Sequence, residues 1–165
     1  MEPALPPRLT ASAATFDAAA LHGLLAHRFP FLLVDRVVVL EPGRRVRGIR
    51  SITGGEWWAE EDVRGATWDG TPGLPHALVL EALAQTSGVL LADVVPADDD
   101  AVAYFLGLDR VRLRDHARPG EQLQLDLELR QWRRGICRTR GVATVDGRLI
   151  ASAELTTIVR ARPRA

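Results

Sequence analysis

The sequence contains no lysine and one cysteine, Cys137. A single thiol cannot build an internal disulfide framework, and no Cys/His cluster has zinc-ligand spacing, so no metal site is expected. Net charge is lacking as well: 21 basic residues, all arginine, balance 21 acidic ones. A bulk polyanion such as a nucleic acid is therefore not an expected partner. The absence of lysine reads first as the coding bias of a GC-rich genome. No apolar run reaches the length of a membrane span. The first 14 residues lack a basic start followed by an apolar stretch, so they do not read as a secretory signal. These absences together lead to the expectation of a soluble cytoplasmic protein. No glycine-rich phosphate cradle is present, and no cofactor is expected.

What is present is one domain's worth of chain. A length of 165 residues buries about two-thirds of its unfolded surface. Residues 1–14, rich in Ala and Pro, read as a loose arm, 15–160 as a single domain and 161–165 as a tail. A short helix is expected within Phe16–Ala26, a strand within Phe31–Leu40, and a return strand carrying Val46, Ile49 and Ile52. Residues 53–74 read as a long loop with Trp57, Trp58, Trp68 and the acidic patch Glu60, Glu61 and Asp62. Loops of that length are usually functional. The three tryptophans read either as pocket lining or as packing.

Residues 75–95 are apolar on nearly every face, the signature of a buried helix begun at Pro75. The remainder reads as strand and turn: Ala101–Asp109, then Leu123, Leu125, Leu127 and Leu129 alternating with polar residues, then strands near 136–145 and 148–160. Arg134-Gly135 and Asp146-Gly147 read as hairpin turns. One long helix with about five antiparallel strands is an α+β layer, a sheet wrapped on a helix.

Glu81 lies in the middle of that helix and is the only ionisable side chain from Ala77 to Leu91. Gln85, four residues on, shares its face. A carboxyl group enclosed by apolar side chains is costly unless paired or protonated, and desolvation suits it to general-acid work. Two plainer readings stay open: a narrow solvent-facing stripe, or a buried structural hydrogen bond. His76, at the helix start, reads as a candidate base or as a cap. His22 and His116 have no supporting context.

The run His27-Arg-Phe-Pro-Phe-Leu-Leu-Val-Asp-Arg36 resembles the P-H-R-[FY]-P-F-L-L-V-D-R signature of bacterial 3-hydroxyacyl-[acyl-carrier-protein] dehydratases of the FabZ/FabA type. Leu74-Pro75 and Leu78-Val-Leu-Glu-Ala-Leu-Ala-Gln85 resemble the same family's M-P-G-V-L-x-x-E-A-x-A-Q, and weaker matches follow in order to about residue 158. The resemblance implies the hotdog fold and a dimer whose two sites each mix residues from both subunits. It implies a histidine that removes the proton beside the thioester carbonyl, and a glutamate from the other subunit that protonates the departing hydroxyl. A backbone N–H at the helix start polarises the carbonyl in that scheme. Glu81 and Gln85 match the glutamate and glutamine of the motif.

One segment departs from the family. Its G-H-F-P-G-x-P-x-M-P-G stands here as Ala66-Thr-Trp-Asp-Gly-Thr-Pro-Gly-Leu-Pro-His76, so Thr67 occupies the place of the catalytic histidine and Trp68 and Asp69 also differ. His76 falls where the family has the glycine whose N–H binds the carbonyl, and Gly73 and Trp68 are candidate substrate-contacting positions. Three expectations follow. The chain is a dehydratase of fatty-acid or polyketide synthesis whose base is rearranged to His76 or an acidic residue of 60–62. Or it is one half of a heterodimer with a second hotdog chain. Or it is a thioesterase using Glu81, or a non-catalytic acyl-thioester binder. An acyl carrier protein is the expected partner, with a homodimer or higher homo-oligomer as the alternative to the heterodimer. Arg110, Arg112 and Arg114, with Arg138 and Arg140, read either as a basic rim for that acidic carrier or as solvated strand faces.

Overall fold

The structure, a computed structural model, describes residues 15–56, 58, 73–94 and 101–161. The expected arm, residues 162–165 of the expected tail, and Thr67, Trp68 and the 60–62 patch lie outside the described residues, while residue 161 of that tail ends the last strand. The elements run β1 (Thr15–Phe16), α1 (Ala18–Leu24), β2 (Arg36–Glu41), β3 (Arg45–Ser51), α2 (His76–Val94), β4 (Ala101–Leu113), β5 (Gln122–Arg133), β6 (Ile136–Val145) and β7 (Arg148–Ala161). The strands form one seven-stranded sheet in the order β1-β2-β3-β5-β6-β7-β4. Every pairing is antiparallel. The α+β expectation therefore holds, and β1 is an addition to it.

Local chemistry explains the element ends. Asp17 caps α1, its Oδ1 accepting the Ala20 N–H at 2.9 Å. Both expected hairpin turns form. Arg134 and Gly135 sit at φ 52° and 78°, and Asp146 and Gly147 at φ 48° and 81°. Paired positive φ angles match the right-handed twist of the flanking strands.

The strands alternate as their composition requires. Leu123, Leu125 and Leu127 of β5 are buried, as are Ala151, Ala153 and Leu155 of β7. Helix α2 lies on this inner face and buries Val79, Ala82, Leu83 and Leu90 against it. Each such leucine contributes roughly 1.5–3 kcal/mol of transfer free energy. The approach is close enough to dictate a residue on β3: a Cβ on Gly48 would collide with the Thr86 hydroxyl. Thr86 itself is satisfied, donating to the Ala82 carbonyl at 2.8 Å. Trp58 joins this core at 4 % exposure, so the one described loop tryptophan is a packing residue.

The outer face carries charge in balanced order. Cross-strand neighbours run Arg45, Glu128, Arg140, Glu154 across β3, β5, β6 and β7. Opposite charges facing each other across strands stabilise the sheet. Arg110, Arg112 and Arg140 gather round a hollow of about 220 Å³ with Ser152 and Glu154. Arg110 reaches Glu154 at 2.6 Å. Arg110 of this face is thus answered by a carboxylate.

Strand β4 forms one edge of the sheet, pairing only with β7. It is 13 residues long and leaves Tyr104, Phe105, Leu106, Val111 and Leu113 exposed.

Candidate functional site

The site is built where α2 meets the segment between α1 and β2. That segment turns sharply: Phe31 and Leu32 N–H groups both donate to the Arg28 carbonyl, at 2.7 and 3.0 Å. The Phe29-Pro30 bond is cis. The Arg28 guanidinium ties the turn back to α1 through the carbonyls of His22, Leu25 and His27.

Gln85 clamps the turn from the helix side. Its Oε1 accepts the Leu33 N–H at 2.9 Å, and its Nε2 donates to the Phe31 carbonyl at 2.6 Å. The same Nε2 donates to Glu81 Oε1 at 2.8 Å. Gln85 is 2 % exposed, so these partners replace water for an amide that would otherwise be stranded.

His27 rides on the clamped turn and brings Nε2 to 3.2 Å from Glu81 Oε1. Glu81 therefore has two nitrogen neighbours on one oxygen, Gln85 and His27. Among the described residues, no hydrogen bond to Oε2 is found. Phe29 and Phe31 of the same turn are 89 % and 52 % exposed.

The expectation that Glu81 is enclosed by hydrocarbon is corrected in the single chain. Its side chain is 38 % exposed. Helix α2 keeps a partly open stripe at Ala77, Leu80, Glu81 and Ala84 while its other faces are buried. An apolar composition all round a helix records every surface it covers, including any it covers only in an assembly.

His76 faces elsewhere. Its Nε2 lies 2.9 Å from the Asp115 carbonyl, and since a carbonyl only accepts, that nitrogen carries the hydrogen. Its ring packs on that of His116, centroids 4.3 Å apart. Gly73 and Leu74 press on the same connection between β4 and β5. The Leu74 N–H donates to the Ala117 carbonyl at 2.7 Å, and a Cβ on Gly73 would come within 2.7 Å of the His116 Cβ. Gly73 is thus fixed by packing at the entry to α2, where the Leu78 and Val79 N–H groups donate to the Pro75 carbonyl at 2.9 and 3.1 Å and those of His76 and Ala77 precede the helical ladder.

The connection is held in turn by Arg148. It donates to Asp115 at 2.5 Å and Glu121 at 2.6 Å, and to the His116 carbonyl at 3.1 Å. The His116 N–H, together with Arg148, holds the Asp115 carboxyl below the usual aspartate range.

The two histidines that sequence reasoning passed over are therefore His27, which meets Glu81, and His116, which braces His76. The signal for His27 was its place at the head of the first signature. Its contact with a residue 54 positions away leaves no local pattern. No cluster of three or more His, Cys, Asp or Glu groups able to hold a metal occurs among the described residues. No helix among the described residues is long and apolar enough to cross a membrane.

Comparison with known proteins gives this geometry a context. A FabA-like domain model matches residues 25–154. The chain is 41 % identical over 148 residues to 3-hydroxyacyl-[acyl-carrier-protein] dehydratase FabZ of Syntrophotalea carbinolica, covering 90 % of this chain and 97 % of that one. It is 36 % identical over 140 residues to FabZ of Bacillus subtilis, covering 85 % and 95 %. Among solved structures, the dehydratase heterocomplex ApeI:P of Xenorhabdus doucetiae superposes with a TM-score of 0.63 at 18 % identity, covering 87 % of this chain and 91 % of that one. A Streptococcus mutans protein bound to acetyl-CoA gives 0.60 at 16 %, covering 85 % and 98 %. These likenesses establish the hotdog fold, and with the match over 25–154 and the FabZ relatives they place the chain in the FabA-like dehydratase family.

Proposed function

We propose that the protein is a hydro-lyase that removes water from 3-hydroxyacyl thioesters carried on an acyl carrier protein. The observation that carries this reading is the setting of Glu81: one oxygen engaged by Gln85 and His27, the other without a hydrogen bond among the described residues, on a helix whose first N–H groups, those of His76 and Ala77, precede the helical ladder. A carboxyl group so held can deliver a proton from Oε2 to a departing hydroxyl while Oε1 stays anchored. The helix start, including the His76 N–H beside Gly73, supplies donors for the thioester carbonyl, where negative charge builds as the neighbouring carbon loses its proton. Fatty-acid or polyketide synthesis is the setting for such a reaction, in the cytoplasm with its carrier protein.

The working form is an oligomer. The exposed β4 edge has the length and apolar character of a pairing surface. A second copy is the simplest occupant, and a second hotdog chain fits the same edge. Trp68 and Thr67, which lie outside the described residues, enter this reading only as positions where the sequence departs from the family motif.

The test is turnover of 3-hydroxybutyryl and 3-hydroxyoctanoyl carrier protein by the purified chain, followed as enoyl thioester formation. Glu81→Gln keeps the Oε1 acceptor and removes the acid, and should lower the rate by about 10²–10⁴-fold. Release of free thiol without enoyl product would instead make the protein a thioesterase and overturn the reading.

A further inference from the structure

We infer that His27 is the proton acceptor of the reaction, so that the acid and the base of each site come from one chain. The inference rests on the dehydratase reading and deepens it. Thr67 cannot take a proton near neutral pH. His76 turns its Nε2 to the Asp115 carbonyl and packs its ring on His116, so that it is placed on the connection between β4 and β5. His27 alone among the histidines has a nitrogen on Glu81, at 3.2 Å. Its other nitrogen, Nδ1, is enclosed and has no hydrogen-bond partner among the described residues. Nε2 is therefore the nitrogen able to meet a substrate, and the side chain is 41 % exposed.

The spacing fits the chemistry. In a 3-hydroxyacyl thioester the proton to be lost and the hydroxyl to leave sit on adjacent carbons, so the acceptor and the donor must also be neighbours. Nε2 of neutral His27 takes the proton from the carbon beside the carbonyl. That electron pair becomes the new carbon–carbon double bond, the carbon–oxygen bond breaks, and Glu81 gives its proton to the hydroxyl as water leaves. His27 now holds one extra proton and Glu81 lacks one. Because Nε2 and Oε1 are in contact, the extra proton passes from His27 to Glu81, which leaves the imidazole neutral and the carboxyl group protonated. Gln85 keeps the distance short, since it holds both Glu81 and the turn that carries His27.

The experiment uses the full chain with 3-hydroxyoctanoyl carrier protein and the variants His27→Ala, His27→Gln, Thr67→His and, as a control on the exposed face of α1, His22→Ala. Circular dichroism and thermal melting check that each folds. The expected result is wild-type turnover, a kcat lower by about 10²–10⁴-fold in both His27 variants with KM little changed, and partial rescue of His27→Ala by added imidazole. A merely structural histidine gives no such rescue. Chains carrying His27→Gln and Glu81→Gln, refolded together, should recover no activity, because each mixed dimer has no site with both groups. Recovery in the mixture, or wild-type rates in a folded His27→Gln, would overturn the inference. A silent wild type with an active Thr67→His would overturn His27 while leaving the dehydratase reading intact. Silence in both would overturn the two together.

Discussion

Gln85 sits one helical turn beyond Glu81 and donates to it at 2.8 Å, while the other end of the same carboxamide holds Leu33 at 2.9 Å. One buried side chain thus sets both the carboxylate and the turn opposite it. Gln85→Leu should keep the volume and strand the Leu33 N–H and the Phe31 carbonyl. An unsatisfied buried group costs roughly 1–3 kcal/mol. The expected outcome is a drop in denaturation midpoint with unchanged denaturant dependence, and a loss of turnover larger than the loss of folded protein. Gln85→Glu is the sharper case, because it sets two carboxylates side by side and should lower activity even where the chain stays folded.

Gly73 answers to packing at the start of α2. Its missing Cβ would lie 2.7 Å from the Cβ of His116 and 3.0 Å from the Ala117 carbonyl. Gly73→Ala must shift the connection or the helix start, at about 1–3 kcal/mol for overpacking of this kind. The variant should melt lower, and its KM should rise because the helix-start donors move. A variant with wild-type melting and KM would show that the connection yields freely.

The pH dependence of stability has a named contributor. The Asp115 carboxyl is held below the usual aspartate range, first by the His116 N–H and then by Arg148. A lowered carboxyl in the folded state contributes stability above the ordinary aspartate value, and that contribution is lost as pH falls through the lowered one. The wild type should therefore lose stability below about pH 4. Asp115→Asn should be less stable at neutral pH and show a flatter acid limb. An unchanged acid limb in equilibrium denaturation would remove Asp115 from the account.

Cys137 should be inert. It is 1 % exposed on the inner face of β6, and burial pushes its thiol up to about 12. Only the thiolate reacts with disulfide reagents. The native protein should show no reactive thiol at pH 8, and one after denaturation. Reaction at a native rate would mean that β6 opens on that timescale.

Much of this molecule could be read from its residues. The alternation of Leu123, Leu125 and Leu127, the two positive-φ turns and the apolar run of α2 are local patterns with local causes, and each took its expected place. Strand β1 is two residues long and owes its existence to β2, so no local signal announces it. Glu81 was legible as an outlier on its helix, but the choice between an enclosed group and a solvent-facing stripe was not, since composition cannot separate surface hidden by folding from surface hidden by assembly. His27 was in view throughout and its role was not, because the contact depends on a turn that Gln85 and Arg28 shape from opposite sides.

The long outer strand β4 carries a further consequence. A protein that hides such a border only against another molecule cannot have a melting temperature of its own, since mass action ties the folded population to how much protein is in the tube. Dilution should lower the measured stability and catalytic output in step, and crowded cellular levels should restore both. A charge placed at Phe105 would then act like dilution, lowering stability and catalytic output together.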